Sequence, residues 1–145
     1  MSAGTGAATG RESWPAELQR QYDAQAGSGC VGSVLVSETD RVRVWHLHIA
    51  PGKRCNFHTH VLDYFWSAHN AGKARGYYND GRIVDVEHFA GETKHFTFKS
   101  GESFTHAVEN IGDTDLLFTT VEFLQGANPP LPIPDHMRLK PAAAA

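Results

Sequence analysis

The feature that most constrains the fold is a series of short segments, from Cys30 to Leu124, in which apolar and polar residues alternate. A period of two is typical of β-strands, whose successive side chains point to opposite faces. Turn signals separate the segments, and Asp80-Gly81 between two alternating runs predicts a tight hairpin. Many short strands without a helical pattern among them predict an all-β antiparallel sandwich or jelly roll. The predicted strands are Gly32–Ser37, Val42–Ile49, Cys55–His60, Tyr64–His69, Ala74–Tyr78, Arg82–Phe89, His95–Lys99, Ser103–Asn110 and Leu116–Leu124.

The two ends of the chain differ from this middle part. Residues 1–12 are rich in glycine and alanine, which predicts a flexible N-terminus, and a short helix is expected to start near Ser13 and to stop by Gly27. Residues 127–145 carry closely spaced prolines and predict an extended C-terminal arm, along either a neighbouring subunit or the chain's own barrel. Residues 13–126 are then one domain.

Composition limits the classes of partner. The formal net charge is −3 and the chain contains no lysine- and arginine-rich run, which argues against nucleic acid or an anionic membrane. No apolar stretch is long enough to span a bilayer, and the N-terminus does not resemble a secretory leader, so a cytoplasmic location is expected. Cys30 and Cys55 lie outside any C-x-x-C spacing and are expected to be reduced, with a single disulfide as the alternative.

Three histidines form the pattern that indicates chemistry. His58 and His60 lie at positions i and i+2 of a predicted strand, so they share one face, and His106 lies on a distant strand. Imidazole is a ligand for iron, zinc, copper and nickel, and three protein ligands leave coordination positions open for water, oxygen or substrate. The pattern predicts a metal site inside a β-barrel.

These residues also resemble the cupin family of small metal-binding β-barrels. The first cupin motif contains a glycine, five residues, His-x-His and a later glycine, and the second ends in His-x-x-x-Asn. The matching residues here are Gly52, His58, His60, Gly72, His106 and Asn110. The resemblance covers about Arg41 to Leu124 and implies a single-domain cupin jelly-roll β-barrel. The chain lacks the proline of the second motif, and four residues instead of two separate Gly101 from His106.

The main departure concerns the fourth ligand. Most metal-binding cupins have a glutamate four residues after the second histidine, where this chain has Tyr64. The resemblance therefore implies a three-histidine set, His58, His60 and His106, similar to the iron sites of thiol dioxygenases and diketone-cleaving cupins. The run His-Thr-His-Val-Leu-Asp-Tyr is also similar to small single-domain cupins of β-alanine catabolism. One divalent metal is expected, with Fe(II) ahead of Zn, Mn and Ni.

Neighbouring residues are candidates for substrate chemistry. Three neutral imidazoles leave the metal its full charge, which favours anionic, metal-chelating substrates. Arg54 and Asn56 share the parity of His58 unless a bulge intervenes, so Arg54 is predicted to hold a substrate carboxylate. Tyr64 is either a proton-transfer group or ligand at the metal, or a buried aromatic residue. Asp63 either orients a histidine or lies in a solvated turn.

Other histidines and aromatic residues have weaker support. His46 and His48 repeat the i, i+2 spacing and are a rival ligand pair, although exposed positions are the commoner outcome. Cys55 has the opposite parity to His58 and is expected to point away from it, into the core, whereas Trp66 is expected inside the cavity. The histidines without motif support are expected at the surface or in loops: His69, His88, His95 and His136.

These inferences lead to one functional hypothesis with two alternatives. The chain is predicted to be a mononuclear cupin enzyme, an Fe(II) dioxygenase that acts on a small metal-chelating organic substrate. The alternatives are a non-redox lyase or isomerase with Tyr64 as base, and a binding or sensing module without turnover. Because exposed strand edges are commonly covered by a partner, a homodimer is expected.

Overall fold

The structure, a computed structural model, describes residues 10–141. Residues 1–9 of the predicted flexible N-terminus, and residues 142–145 of the predicted arm, lie outside the described part. Within residues 10–141 the chain forms one α-helix, nine strands and a short 3-10 helix. These elements are α1 (Ala16–Gln25), β1 (Val34–Glu38), β2 (Val42–Ile49), β3 (His58–His60), β4 (Tyr64–Ala68), β5 (Gly72–Tyr78), β6 (Ile83–His88), β7 (Thr93–Phe96), β8 (Phe104–Asn110), β9 (Leu116–Phe123) and η1 (Asp135–Met137).

The strands form two antiparallel sheets that face each other, which confirms the all-β jelly roll. Sheet A has the order β1-β2-β9-β4-β7, and sheet B has the order β3-β8-β5-β6. Strands that are neighbours in a sheet are mostly distant in the sequence, as in a jelly roll and not in a simple meander. Alternate residues on each strand point between the sheets, where Ile49, Leu116 and Phe118 pack with Ala68 and Ala74.

Helix α1 covers the outer face of sheet B. Leu18 of the helix and the preceding Trp14 pack with Phe57, Tyr77 and Ala107, all nearly inaccessible to solvent. The Trp14 indole N–H donates to the carbonyl of Gly81 at 3.1 Å. The helix begins at Ala16, with Pro15 at the N-cap, and no side chain caps it. Helix α1 thus covers part of the outer face of sheet B.

The C-terminal segment packs along the chain's own barrel, one of its two predicted courses. Ile133 and Met137 pack against the core of Val31, Leu35 and Trp45. The Leu139 backbone N–H donates to the carbonyl of Leu35 at 2.8 Å, so the segment continues sheet A beyond β1. The arm therefore covers the edge of β1 that would otherwise be open to another strand.

Two motif residues have structural roles in turns. Gly52 has φ +79°, a backbone conformation that L-residues with side chains rarely adopt, and its N–H donates to the carbonyl of Asn110 at 3.0 Å. Asn110 is fully buried, and its amide group donates to the carbonyls of Ile49 and Thr114 at 2.8 and 2.7 Å. Asn110 therefore connects the end of β8 to β2 and to the turn before β9.

The bounds of β2 are as predicted, those of most other strands differ by one or two residues, and two strands differ more. The strand predicted over residues 55–60 is regular only at His58–His60, because nearby backbone groups bond to side chains. The Phe57 N–H donates to Gln25 Oε1 of α1 at 2.9 Å, and the Asn56 carbonyl bonds to the His58 ring. The strand predicted over residues 95–99 lies at Thr93–Phe96. It ends there because the Phe98 N–H donates to the Asp63 Oδ1 side-chain oxygen at 2.8 Å and not to a neighbouring strand.

Candidate metal centre

The three predicted histidines lie together on the inner face of sheet B. His58 and His60 project inward from β3, and His106 of β8 is the direct cross-strand partner of His58. One ring nitrogen from each residue can be chosen so that all three lie within 4.8 Å of one another. Among residues 10–141 this is the single group of three or more histidine, cysteine or acidic side chains with such spacing.

The ring nitrogens have distinct environments. His58 Nδ1 lies 2.9 Å from the carbonyl of Asn56, which can only accept, so the proton is on Nδ1 and Nε2 is free to bind a metal. His60 Nε2 and His106 Nε2 are 3.3 Å apart. Two nitrogens that each lie about 2.1 Å from one metal ion are roughly 3.0–3.4 Å apart when the N–metal–N angle lies between the octahedral and the tetrahedral value. The observed spacing therefore fits two adjacent ligands of one metal ion.

Aromatic packing, more than hydrogen bonding, orients two of the imidazoles. His60 Nδ1 and His106 Nδ1 are buried and have no hydrogen-bond partner among the described residues. The His60 ring instead stacks on Tyr64 with a centroid distance of 4.0 Å and an interplanar angle of 12°. Phe104 contacts both rings, at 4.9 Å from each. These contacts hold the Nε2 edges of His60 and His106 toward each other.

Burial keeps the three imidazoles neutral. Desolvation lowers the pKa of His58 to about 4, against a weaker opposing effect of the hydrogen bond to Asn56. Desolvation also lowers the pKa values of His60 and His106 well below the usual range, and the neighbouring histidine charge acts in the same direction. A neutral imidazole has the lone pair that a metal ion requires. The donor set therefore fits a divalent metal ion, and no carboxylate among residues 10–141 joins it.

The histidines lie on the wall of a cavity between the sheets. Its volume is about 500 Å³, in the range of small-molecule sites, and its wall is mainly apolar and aromatic. The polar residues other than the three histidines are Tyr64, Tyr78, Asn79, Arg82, His88, Glu92, Lys94 and Thr120. The apolar residues are Val31, Leu47, Trp66, Ala74, Gly76, Val84, Val86, Phe96, Phe104, Val108 and Phe118. Trp66 thus has the predicted inward position.

Tyr64 lies at the position where most metal-binding cupins have a glutamate. It is 2% exposed, and its ring lies between His60 and Phe96, with a Phe96 centroid distance of 4.6 Å and an interplanar angle of 7°. Burial raises the pKa of the Tyr64 phenol far above its usual value, so the neutral form is favoured. This environment favours the interpretation of Tyr64 as a packed aromatic residue that orients His60.

Tyr64→Phe should leave metal affinity within about twofold of wild type, because the stacked ring is retained and only the hydroxyl is lost. Tyr64→Leu removes the stacking partner of His60 and should weaken metal affinity by about tenfold. This is the lower end of the roughly 10- to 100-fold range for residues that orient metal ligands. Equilibrium competition with a chromophoric chelator measures both. A large loss of affinity in Tyr64→Phe would instead assign the hydroxyl a direct role at the metal.

Arg54 does not line this cavity, contrary to the prediction. Its guanidinium hydrogen-bonds to Gln21 of α1 and lies 5.7 Å from the centroid of the Tyr77 ring, on the outer face of sheet B. The prediction assumed one continuous strand from residue 54 to His58. Arg54 forms only an isolated bridge with Glu109, and the irregular backbone before β3 changes the parity.

The same irregularity changes the orientation of Cys55. It packs in the core, as predicted, but on the inner side, against the cluster that contains Ile49, Leu116 and Phe118. Its thiol accepts a hydrogen bond from the Val108 N–H at 3.3 Å. Burial raises the pKa of Cys55 to about 11, so the thiol stays protonated and is a poor metal ligand.

The remaining candidates lie away from the histidine cluster. His46 and His48 are exposed on the outer face of sheet A, where His48 Nε2 is 3.4 Å from Asp115 Oδ1. Asp63 accepts from the Phe98 N–H and thus fixes the segment after β7, and no hydrogen bond joins it to His58 or His60.

The sequence did not lead to a prediction that two polar residues, His88 and Arg82, lie on the cavity wall. His88 is buried and forms a pair with Glu92 at 2.8 Å, although its position was expected to be at the surface. Arg82 lies at the end of the Asp80-Gly81 hairpin, with its guanidinium 4.8 Å from the Tyr78 ring centroid, and Tyr78 contacts His106. The predicted hairpin and the inward parity of residues 82 to 88 were the available signal for both.

The single α-helix among residues 10–141 has ten residues, and the described part contains no helix long and apolar enough to cross a membrane.

No protein-family model matches the chain. No curated protein sequence matches it. Solved structures do match it. A cupin domain from Bordetella pertussis is 24% identical, with 60% of this chain and 85% of that chain covered and a TM-score of 0.53. A conserved protein with a double-stranded β-helix domain from Klebsiella pneumoniae is 23% identical, with 65% and 76% covered and a TM-score of 0.51. With two facing antiparallel sheets and these structural neighbours, the chain has the cupin fold.

Proposed function

We propose that this chain is a mononuclear metal-dependent enzyme, an Fe(II) dioxygenase that acts on a small metal-chelating organic substrate. The observation that carries the proposal is the set of three buried, neutral imidazoles without a carboxylate, on the wall of a cavity of about 500 Å³. A bound divalent ion keeps its full charge in such a set, so it favours anionic ligands that bind it directly.

The choice of metal follows from the donors. Imidazole is a good ligand for iron, zinc, copper and nickel, and three protein ligands leave positions open for a chelating substrate. Iron(II), when bound, would supply the redox chemistry that reaction with dioxygen requires. The apolar and aromatic residues of the cavity wall would bind the apolar part of such a substrate.

The chain's own residues would bind and orient the substrate. Tyr64, Phe104 and Tyr78 pack around the histidines and would position a flat substrate beside them. Arg82 at the cavity wall would attract a substrate anion, the role that the sequence assigned to Arg54. The Arg82 guanidinium is largely exposed and forms an ion pair with Asp80 at 2.7 Å, so its contribution to the binding of a substrate anion is modest.

Arg82→Gln should raise KM for an anionic substrate by about two- to fivefold, with kcat changed less than about twofold, since an exposed charge mainly affects encounter and ground-state binding. The effect should shrink as ionic strength rises. Steady-state kinetics at low and high salt measure it, with Arg20→Gln on the outer helix as the matched control. An equal effect of the two variants would remove Arg82 from substrate attraction.

The deciding experiment combines metal analysis with oxygen uptake. Protein purified anaerobically, without added metal or chelator, is analysed for metal content and then screened with thiols, diketones and hydroxy acids in an oxygen electrode. Near-stoichiometric iron and substrate-dependent oxygen consumption support the proposal. Turnover without oxygen consumption would indicate a lyase or isomerase, and ligand binding without turnover would indicate a binding module.

A further inference from the structure

A second polar group faces the metal cavity at the end of β6. His88 is 9% exposed and lines the cavity together with Glu92. Glu92 Oε1 lies 2.8 Å from His88 Nδ1, and because a carboxylate only accepts, the proton is on Nδ1. No described residue hydrogen-bonds to Nε2 of His88. The ring lies edge-on to Trp66 and Phe118, at centroid distances of 5.2 and 5.1 Å. His88 therefore has a fixed orientation and a free acceptor nitrogen.

His88 and the three histidines are at separate places on the cavity wall. Tyr64 stacks on His60, and Trp66 contacts His88. These two aromatic residues are two positions apart on β4, which is about 7 Å along a strand. Much of the remaining wall is apolar, with Leu47, Ala74 and Val108 among its residues. The three histidines and His88 are thus two of the polar places on the cavity wall, and apolar residues make up much of the wall around them.

We infer that His88 binds the substrate by accepting, through Nε2, a hydrogen bond from an O–H or N–H group remote from the metal-binding atoms. The inference rests on the proposed function and narrows its substrate class. The substrate is a planar, apolar-bodied chelator with a metal-binding group at one end and a hydrogen-bond donor at the other. Glu92 is a positioning residue, because it keeps the proton on Nδ1 and the lone pair on Nε2.

The His88–Glu92 pair also has a structural environment that a test must separate from binding. Glu92 Oε1 lies 3.4 Å from the Phe89 N–H, and the Glu92 N–H donates to the Phe89 carbonyl at 3.0 Å, so the pair closes the turn between β6 and β7. A purely structural role would change stability but would not discriminate between two ligands that differ in one hydroxyl. The ratio of two ligand affinities is therefore the informative measurement.

The experiment uses two probes with the same metal-chelating group, benzohydroxamic acid and 4-hydroxybenzohydroxamic acid. Both are titrated calorimetrically and anaerobically into protein loaded with the divalent metal that it retains. Wild type should bind the hydroxyl-bearing probe about tenfold more tightly, as expected for one hydrogen bond to a buried group. In His88→Leu the ratio should fall to about one. The matched control, His95→Leu, changes an exposed histidine on β7 and should keep the wild-type ratio.

Glu92→Leu provides a second variant in case His88→Leu does not fold, as judged by thermal unfolding. An apolar side chain no longer accepts from Nδ1, so the proton is no longer fixed there and the ratio should decrease while metal content stays the same. Equal affinities of the two probes in wild type, no binding of either probe to metal-loaded protein, or an unchanged ratio in the variants would each overturn the inference alone. Failure to retain any metal would overturn the proposed function and this inference with it.

Discussion

His106→Ala should lower the affinity for a divalent metal by more than about 100-fold, because even residues that only orient metal ligands contribute 10- to 100-fold. His106 Nε2 lies 3.3 Å from His60 Nε2, and no described carboxylate is placed to replace it. Two remaining histidines on one short strand leave too few ligands for a stable site. Metal content after dialysis, and affinity from competition with a chromophoric chelator, measure the loss.

The matched control for His106→Ala is His69→Ala. His69 is exposed and hydrogen-bonds to Thr119 at 2.7 Å on the surface of sheet A, so its removal should leave metal affinity unchanged. Circular dichroism of both variants checks that the fold is retained. Stoichiometric metal in a folded His106→Ala protein would contradict the three-histidine site, and it would also remove the basis of the proposed function.

Much of the fold follows from local patterns in the sequence. Strand alternation and turn residues predict all nine strands, because most of the strands have one face that is more buried than the other. The partnership of His58 with His106 is different, since it depends on the pairing of β3 with β8, in which these two residues are 48 positions apart in the sequence (106 − 58 = 48). The histidine pattern and the family resemblance related these residues, but the register of their pairing is known only from the structure.

The errors at the site have local physical causes. Arg54 was placed by strand parity, and the Gln25 and Asn56 contacts that interrupt the strand before His58 depend on α1 and on a side-chain bond. His88 carries no motif, and its burial depends on Trp66 and Phe118 from the opposite sheet. Parity within a regular strand indicates that His88 points inward, whereas the residues of the opposite sheet that bury it are not visible in the sequence.

A buried carboxyl group elsewhere in the barrel leads to the second large effect. Glu122 is 3% exposed, and burial raises its pKa to about 7 from an ordinary value of 4.5. The Trp45 indole N–H donates to Glu122 Oε1 at 2.8 Å and opposes the shift only in part. Arg43 is the cross-strand neighbour of Glu122 on β2. Its guanidinium donates hydrogen bonds to Glu38 at 2.8 Å and to the Leu131 carbonyl at 3.0 Å. Glu122 therefore lacks a cation of its own.

This raised pKa predicts how stability depends on pH. Below about pH 4.5 the Glu122 carboxyl is neutral in both the folded and the unfolded state and adds no pH dependence. Between about pH 4.5 and 7 the unfolded chain releases the proton while the folded chain keeps it, so the free energy of unfolding falls as pH rises. Above about pH 7 both forms are ionised, and the accumulated loss is about 3 kcal/mol, from 1.36 kcal/mol per pKa unit.

Glu122→Gln should therefore stabilise metal-free protein by about 3 kcal/mol at pH 8 and change it little at pH 4.5, because a neutral amide never pays the cost of ionisation and its oxygen can still accept from Trp45. Urea unfolding at the two pH values measures the difference. Glu87→Gln changes an exposed carboxylate on β6 and should alter stability by less than about 0.5 kcal/mol at either pH. If Glu122→Gln is equally stabilising or destabilising at both pH values, the buried carboxyl is not what makes the barrel less stable as pH rises.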